Sequence, residues 1–115
     1  MSYEISLSST FKTEAKKLKK RYRSFMDDLN DFKQSIEKNP YQGAELCPNI
    51  RKIRMPIASK GRGKAGSARV ITANAIVAEH EGHIALLTIY DKADASTVKM
   101  NVIKEIARDL GFEVD

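Results

Sequence analysis

Arg54, Arg69, Tyr90 and Lys92 are the residues of this chain best suited to chemistry on a phosphate, and a basic run, Ser59-Lys60-Gly61-Arg62-Gly63-Lys64-Ala65-Gly66-Ser67, separates the two arginines. Arg54 and Arg69 fall in stretches that alternate as strands do. On adjacent strands, with outward side chains, they would converge on one face beside the run. Tyr90 and Lys92 close a third such stretch and would reach the same face. A phosphodiester attacked by its own 2′-hydroxyl passes through a crowded, doubly charged phosphorane. Fixed guanidinium and ammonium groups stabilise that charge, while a phenol or a lysine moves protons. Such a site needs neither metal nor cofactor. An aromatic residue that ends a strand is equally suited to packing, and for Tyr90 both readings stand.

The run Gly61-Arg62-Gly63-Lys64-Ala65-Gly66 matches the glycine spacing of a dinucleotide-binding turn, which requires a helix to open at its last glycine. Here Ala68-Arg69-Val70-Ile71-Thr72 follows, a strand sequence, so that assignment fails on context. A Walker loop fails too, because Ser67 stands where its lysine belongs. What remains is a permissive backbone with cationic tips at Lys60, Arg62 and Lys64, suited to a nucleic-acid backbone. Net charge supports this reading. The chain carries +5 overall, yet Arg51 to Arg69 holds seven bases and no acid, leaving 13 bases against 15 acids elsewhere. A concentration of that kind attracts polyanions, above all nucleic-acid phosphates. The alternative is a solubilising loop.

Other reactive types are less promising. His80 and His83 flank Gly82 in an expected hairpin turn and are read as exposed turn histidines. Cys47, the single cysteine, has no neighbour to activate it and excludes an intrachain disulfide or a cysteine zinc cage. Asp91 and Asp94 are explained by local pairing and helix capping. Lys16, Lys17, Lys19, Lys20, Arg21 and Arg23 form a second basic run, but Phe11, Ala15, Leu18 and Tyr22 between them step by 4, 3 and 4. That spacing makes most of these cations the solvated face of a helix, a face equally able to meet an acidic partner or an RNA backbone.

The elements that must position these residues follow from the same periodicities. Tyr3, Ile5 and Leu7 alternate as a short strand, and Ser8, Ser9 and Thr10 offer a cap for a helix over Phe11 to Tyr22. Phe25, Leu29, Phe32 and Ile36 predict a second helix over Ser24 to Lys38, stopped by Asn39-Pro40, the two forming a hairpin over a common core. Residues 40 to 49 read as a loop. Ile53, Met55 and Ile57 then alternate with Lys52, Arg54 and Pro56, a strand with one apolar and one basic face, and Ala68 to Val77 and Ile84 to Tyr90 follow on short connections. Three such strands favour an antiparallel meander. A last helix, capped by Asp94 or Ser96, carries Val98, Val102, Ile103, Ile106 and Leu110 and stops at Gly111. The order is β-α-α-β-β-β-α, an α+β fold in which a small antiparallel sheet packs against an N-terminal helical hairpin and a C-terminal helix, with the helices expected on one face.

With 115 residues, one domain spanning positions 1 to 115 is expected. The longest charge-free stretches, Val70 to Ala78 and Ile84 to Tyr90, fall far short of the roughly 20 apolar residues of a membrane span. The opening Met-Ser-Tyr-Glu-Ile-Ser-Leu has an early acid and no basic flank, so no secretory signal is expected. A reducing, cytoplasmic setting follows.

Arg51-Lys52-Ile53-Arg54, the block from Ser59 to Ile71, and Leu86-Leu87-Thr88-Ile89-Tyr90-Asp91-Lys92 together resemble the RelE/ParE toxin superfamily, nearest its HigB-like RelE branch. The resemblance implies a toxin of a type II toxin–antitoxin pair, neutralised by a cognate antitoxin. Many members are endoribonucleases, mRNA interferases that cut mRNA in the ribosome; the ParE branch inhibits DNA gyrase, and a non-catalytic nucleic-acid-binding domain is the third alternative. By position, Lys52 and Arg54 fall on basic sites of the first long strand, and Lys60, Arg62 and Lys64 match the basic loop. Arg69 corresponds to the arginine opening the next strand, and Lys92 to a cation after the last. Arg69 and Arg62 are assigned to phosphate charge, with Lys92 or Tyr90 handling protons. RelE toxins place a tyrosine near the C-terminus, whereas no tyrosine follows Tyr90 here. The free toxin is expected to be a monomer.

Overall fold

Ser8 sits where an extended chain must become a helix. Its hydroxyl oxygen accepts the Phe11 amide at 2.9 Å, the N-cap bond that satisfies an otherwise orphaned donor. Its own hydroxyl donates to the Leu87 carbonyl, so the same side chain starts the helix and ties it to the sheet. The computed structural model describes residues 3–60, 66–78, 81–94 and 98–114. Within them run β1 (Glu4–Leu7), α1 (Ser9–Arg21), α2 (Phe25–Lys38), β2 (Ala44–Cys47), β3 (Ile50–Pro56), a short 3-10 turn (Ala58–Lys60), β4 (Ser67–Ala78), β5 (Glu81–Asp91) and α3 (Met100–Asp109).

The five strands form one sheet in the order β1-β5-β4-β3-β2. β3, β4 and β5 make the expected antiparallel meander, while β1 adds to β5 in parallel, Glu4 opposite His83 and Leu7 opposite Leu86. β2 lies where a loop was expected. Ala44-Glu45-Leu46-Cys47 has no apolar alternation, and its strand state comes from pairing with β3, Ala44 opposite Lys52. Gly43 permits that approach. Its φ is +73°, and a Cβ there would lie 2.1 Å from the Lys52 carbonyl oxygen. Asn49, at φ 70°, turns the chain between the two strands.

The last helix starts later than expected. α3 begins at Met100, and Lys99 at its N-cap makes no side-chain capping bond. Asp94 does not cap it, because its carboxylate is taken by Arg21 at 2.7 Å; Ser96 lies outside the described residues. Gly111, at φ +90°, ends it as expected.

The helices do not share one face of the sheet, as the sequence reading had them. Phe11 and Leu18 of α1 and Phe25, Leu29, Phe32 and Ile36 of α2 pack on Ile53, Met55, Val70, Leu86 and Ile89. Ile103 and Ala107 of α3 pack on Ile50, Ile71, Ala73, Ala85 and Leu87. The hairpin fills its own side, so the stripe of α3 is buried on the other. Strand β5 serves both sides through a bulge. Ile71 pairs with Thr88 but Thr72 with Leu86, leaving Leu87 as the extra residue. Ile84 and Leu86 before it and Ile89 after it all face the hairpin, so the alternation changes phase there. Among the described residues no helix is long and apolar enough to cross a membrane.

Candidate functional site

The meander places Arg54 of β3 opposite Arg69 of β4, and Arg69 opposite Tyr90 of β5. Residues directly opposite across strands share a face, about 5 Å apart at Cβ, so the three side chains form one row. Tyr90 lies on the α3 side, packed against that core, and the row is therefore on that side too. The next row is Lys52, Ile71 and Thr88. Lys52, Arg54 and Arg69 line a depression of about 390 Å³ together with Gln42 and Gly43.

Like charges directly opposite each other destabilise a sheet, and among the described residues neither arginine makes an ion pair, although Asp28 and Asp31 line a second depression with Arg54. Arg69 donates from Nη1 to Ser67 Oγ at 2.5 Å and to the Ala68 carbonyl at 3.4 Å, both uncharged acceptors. The side chains of Lys52 and Arg54 make no hydrogen bond or ion pair among the described residues. Such an arrangement favours an anion between the guanidinium groups. Burial raises the Tyr90 phenol above its ordinary pKa, with Arg69 opposing the rise. At neutral pH Tyr90 is thus a protonated hydroxyl beside a cationic slot, able to donate.

Lys60 is placed differently from the sequence expectation. Its ammonium is bound to the Asp91 carboxylate, with side chains 8% and 1% exposed, and it stands 5.6 Å from the Tyr22 ring centroid. It is therefore inside the fold and apart from the open basic row. Asp91 also accepts from the Tyr22 hydroxyl at 2.5 Å, Arg21 Nη1 at 3.0 Å and the Ala93 amide at 2.9 Å. Burial works to raise the Asp91 carboxyl, but Lys60, Tyr22 and Ala93 overcome it and hold the group well below the usual carboxylate range. Lys92 follows Asp91 in the turn that leaves β5; it is half-buried and has no partner among the described residues. Arg62 and Lys64 lie outside the described residues.

The sequence reading missed three participants. Asp91 was assigned to local pairing, yet its partners come from α1 and the 3-10 turn. Ser67, 2% exposed, holds Arg69, and only its position two residues before that arginine, on the same face of a strand, hinted at this. His83 is not an exposed turn residue: it sits in β5, with Nε2 2.7 Å from Ser6 Oγ and its ring 5.3 Å from that of Phe112. His80 lies outside the described residues. No three His, Cys, Asp or Glu side chains gather to hold a metal among the described residues.

No family model matches the chain, and no curated protein does either. Among solved structures, it is similar to a mutant of the E. coli toxin RelE in the free state, in which two arginines are replaced by alanine. The match has a TM-score of 0.57 at 13% identity and covers 96% of this chain and 99% of that one. The fold is RelE-like, as the resemblance implied, and the likeness is one of fold.

Proposed function

We propose that this chain is the toxin of a type II toxin–antitoxin pair and an endoribonuclease that cuts mRNA on the ribosome without a metal or cofactor. The observation that carries the reading is the Arg54–Arg69–Tyr90 row, two guanidinium groups on directly opposite residues, without an ion-pair partner among the described residues, beside a protonated phenol. A RelE-like fold supports it. The row suits a phosphodiester in which the 2′-oxygen, its proton passed to water, attacks phosphorus. Arg69 and Arg54 take the charge on the non-bridging oxygens. The bond to the 5′-oxygen breaks, Tyr90 donates its proton to that oxygen, and a 2′,3′-cyclic phosphate remains. Lys52 and Lys92 add charge for the RNA strand, and Arg62 and Lys64 keep the phosphate-binding role read from sequence. The partners are a cognate antitoxin, the ribosome and its mRNA; the free protein, one domain over residues 1 to 115, is a cytoplasmic monomer.

Induced expression in bacteria, with pulse labelling of protein and DNA synthesis and mapping of mRNA 5′ ends, tests the reading. Rapid loss of translation with new cuts inside translated frames, absent for Arg69→Ala, is the expected result. Arrest of DNA synthesis with intact mRNA overturns it in favour of a gyrase inhibitor. No arrest at all leaves a non-catalytic binding domain.

A further inference from the structure

Lys60 and Asp91 meet inside the protein as a pair of opposite charges. Ion pairs at such depth are often replaceable by apolar side chains without loss of stability, so this one calls for another account. Its position supplies one. Asp91 lies between Tyr90 and Lys92 and opposite Ala68, whose neighbours are Ser67 and Arg69. Besides Asp91, the Lys60 ammonium approaches the Ser67 carbonyl at 3.5 Å, and Ser67 Oγ in turn holds Arg69. The carboxylate is anchored to the end of α1 by Tyr22 and Arg21. Asp91 faces the hairpin and Tyr90 the opposite side, so anchor and reactive row sit back to back on the same stretch of β5.

We propose that the buried Lys60–Asp91 pair is a positioning device, which joins the ends of β4 and β5 so that the Arg69 guanidinium and Tyr90 hydroxyl hold one geometry for a phosphate. Lys60 is then a positioning residue that does not touch RNA. The inference rests on the cleavage reading above. Displacing reacting groups by as little as 1 Å is enough to slow a reaction on the order of a hundredfold, so a tie of this kind acts on rate rather than on affinity.

The test compares wild type, Lys60→Met, Asp91→Asn and the double variant in mRNA cleavage on programmed ribosomes, well below each protein's melting temperature. Each single variant is expected to lower kcat on the order of tenfold or more with KM changed by less than about threefold. The double variant is expected to be no worse than the poorer single one, the mark of a shared interaction. Wild-type kcat in a folded single variant overturns the proposal. So does a rise in KM for Lys60→Met alone, which makes Lys60 an RNA ligand. Tyr22→Phe removes one hydroxyl and leaves the charges paired, so it decides the matter if the others do not fold: a fall in kcat of about twofold to fivefold at constant KM is expected, and an unchanged kcat overturns it. If wild type cuts no mRNA, the cleavage reading fails by itself, and NMR then decides the positioning. Shifted Arg69 Nε–H and Tyr90 ring resonances in Lys60→Met support the device, and unchanged ones overturn it.

Discussion

Arg54 and Arg69 oppose each other and neither makes an ion pair among the described residues, which separates what each side chain does for folding from what it does for RNA. Arg54 is exposed and unpaired among the described residues, so Arg54→Ala should leave stability within about 0.5 kcal/mol of wild type. The same change should weaken binding of single-stranded RNA, as titration and thermal melts on one sample would measure. Removing Arg69 should strike the reaction itself, with kcat falling on the order of a hundredfold or more and little change in melting temperature. Arg69→Lys should recover only part of that loss, because an ammonium lacks the planar fork. Asp91 governs a different property. Its carboxyl titrates below the usual range in the folded protein, so the fold prefers its ionised form. The resulting stability is fully present above the ordinary carboxylate pKa, near 3.8, and is lost as pH falls through the lower folded value. Melting temperatures between pH ~2 and ~6 should show an acid decline that Asp91→Asn flattens.

At the level of elements, the positions that periodicity could settle were legible and those settled by distant partners were not. Helices α1 and α2 and strands β3 to β5 carry their own apolar patterns, and so the meander that sets Arg54 beside Arg69 could be read directly. β2 has no pattern of its own; it is a strand because β3 offers it an edge and Gly43 lets the backbones close. Gly43→Ala should therefore cost on the order of 1–3 kcal/mol, visible in denaturant unfolding, with β2 amides losing exchange protection first. The bulge at Leu87 was equally hidden. Strict alternation from Ile84 and Leu86 would turn Tyr90 toward the hairpin, and one extra residue is what turns it toward Arg69. Lys60 was misread for a related reason. In sequence it belongs to a basic run, and only the fold brings it to an aspartate 31 residues away and to Tyr22 at the end of α1.

The whole molecule is a sheet with a separate apolar layer on each side, the larger under the hairpin and the smaller under α3. Ile103 is fully buried in the smaller layer, where Ala107 is the other fully buried side chain of the helix. Ile103→Ala should cost about 2–4 kcal/mol and raise hydrogen exchange in α3 before the hairpin is affected. Charge is likewise divided, with the open cations Lys52 and Arg54 on one face of β3. If that face meets phosphates, Lys52→Ala should reduce the slope of log affinity against log salt by about one. The parallel pairing of β1 with β5 has a bearing on time as well as on shape. Ser6 and His83, which touch in the finished sheet, are 77 residues apart. During synthesis β1 and both hairpin helices leave the ribosome long before the strand that lies between β1 and β4 exists. The larger core cannot be completed without Ile84, Leu86 and Ile89, and the Arg54–Arg69–Tyr90 row is incomplete until β5 emerges. Whatever this protein does to its target, it does not begin while that strand is still being made.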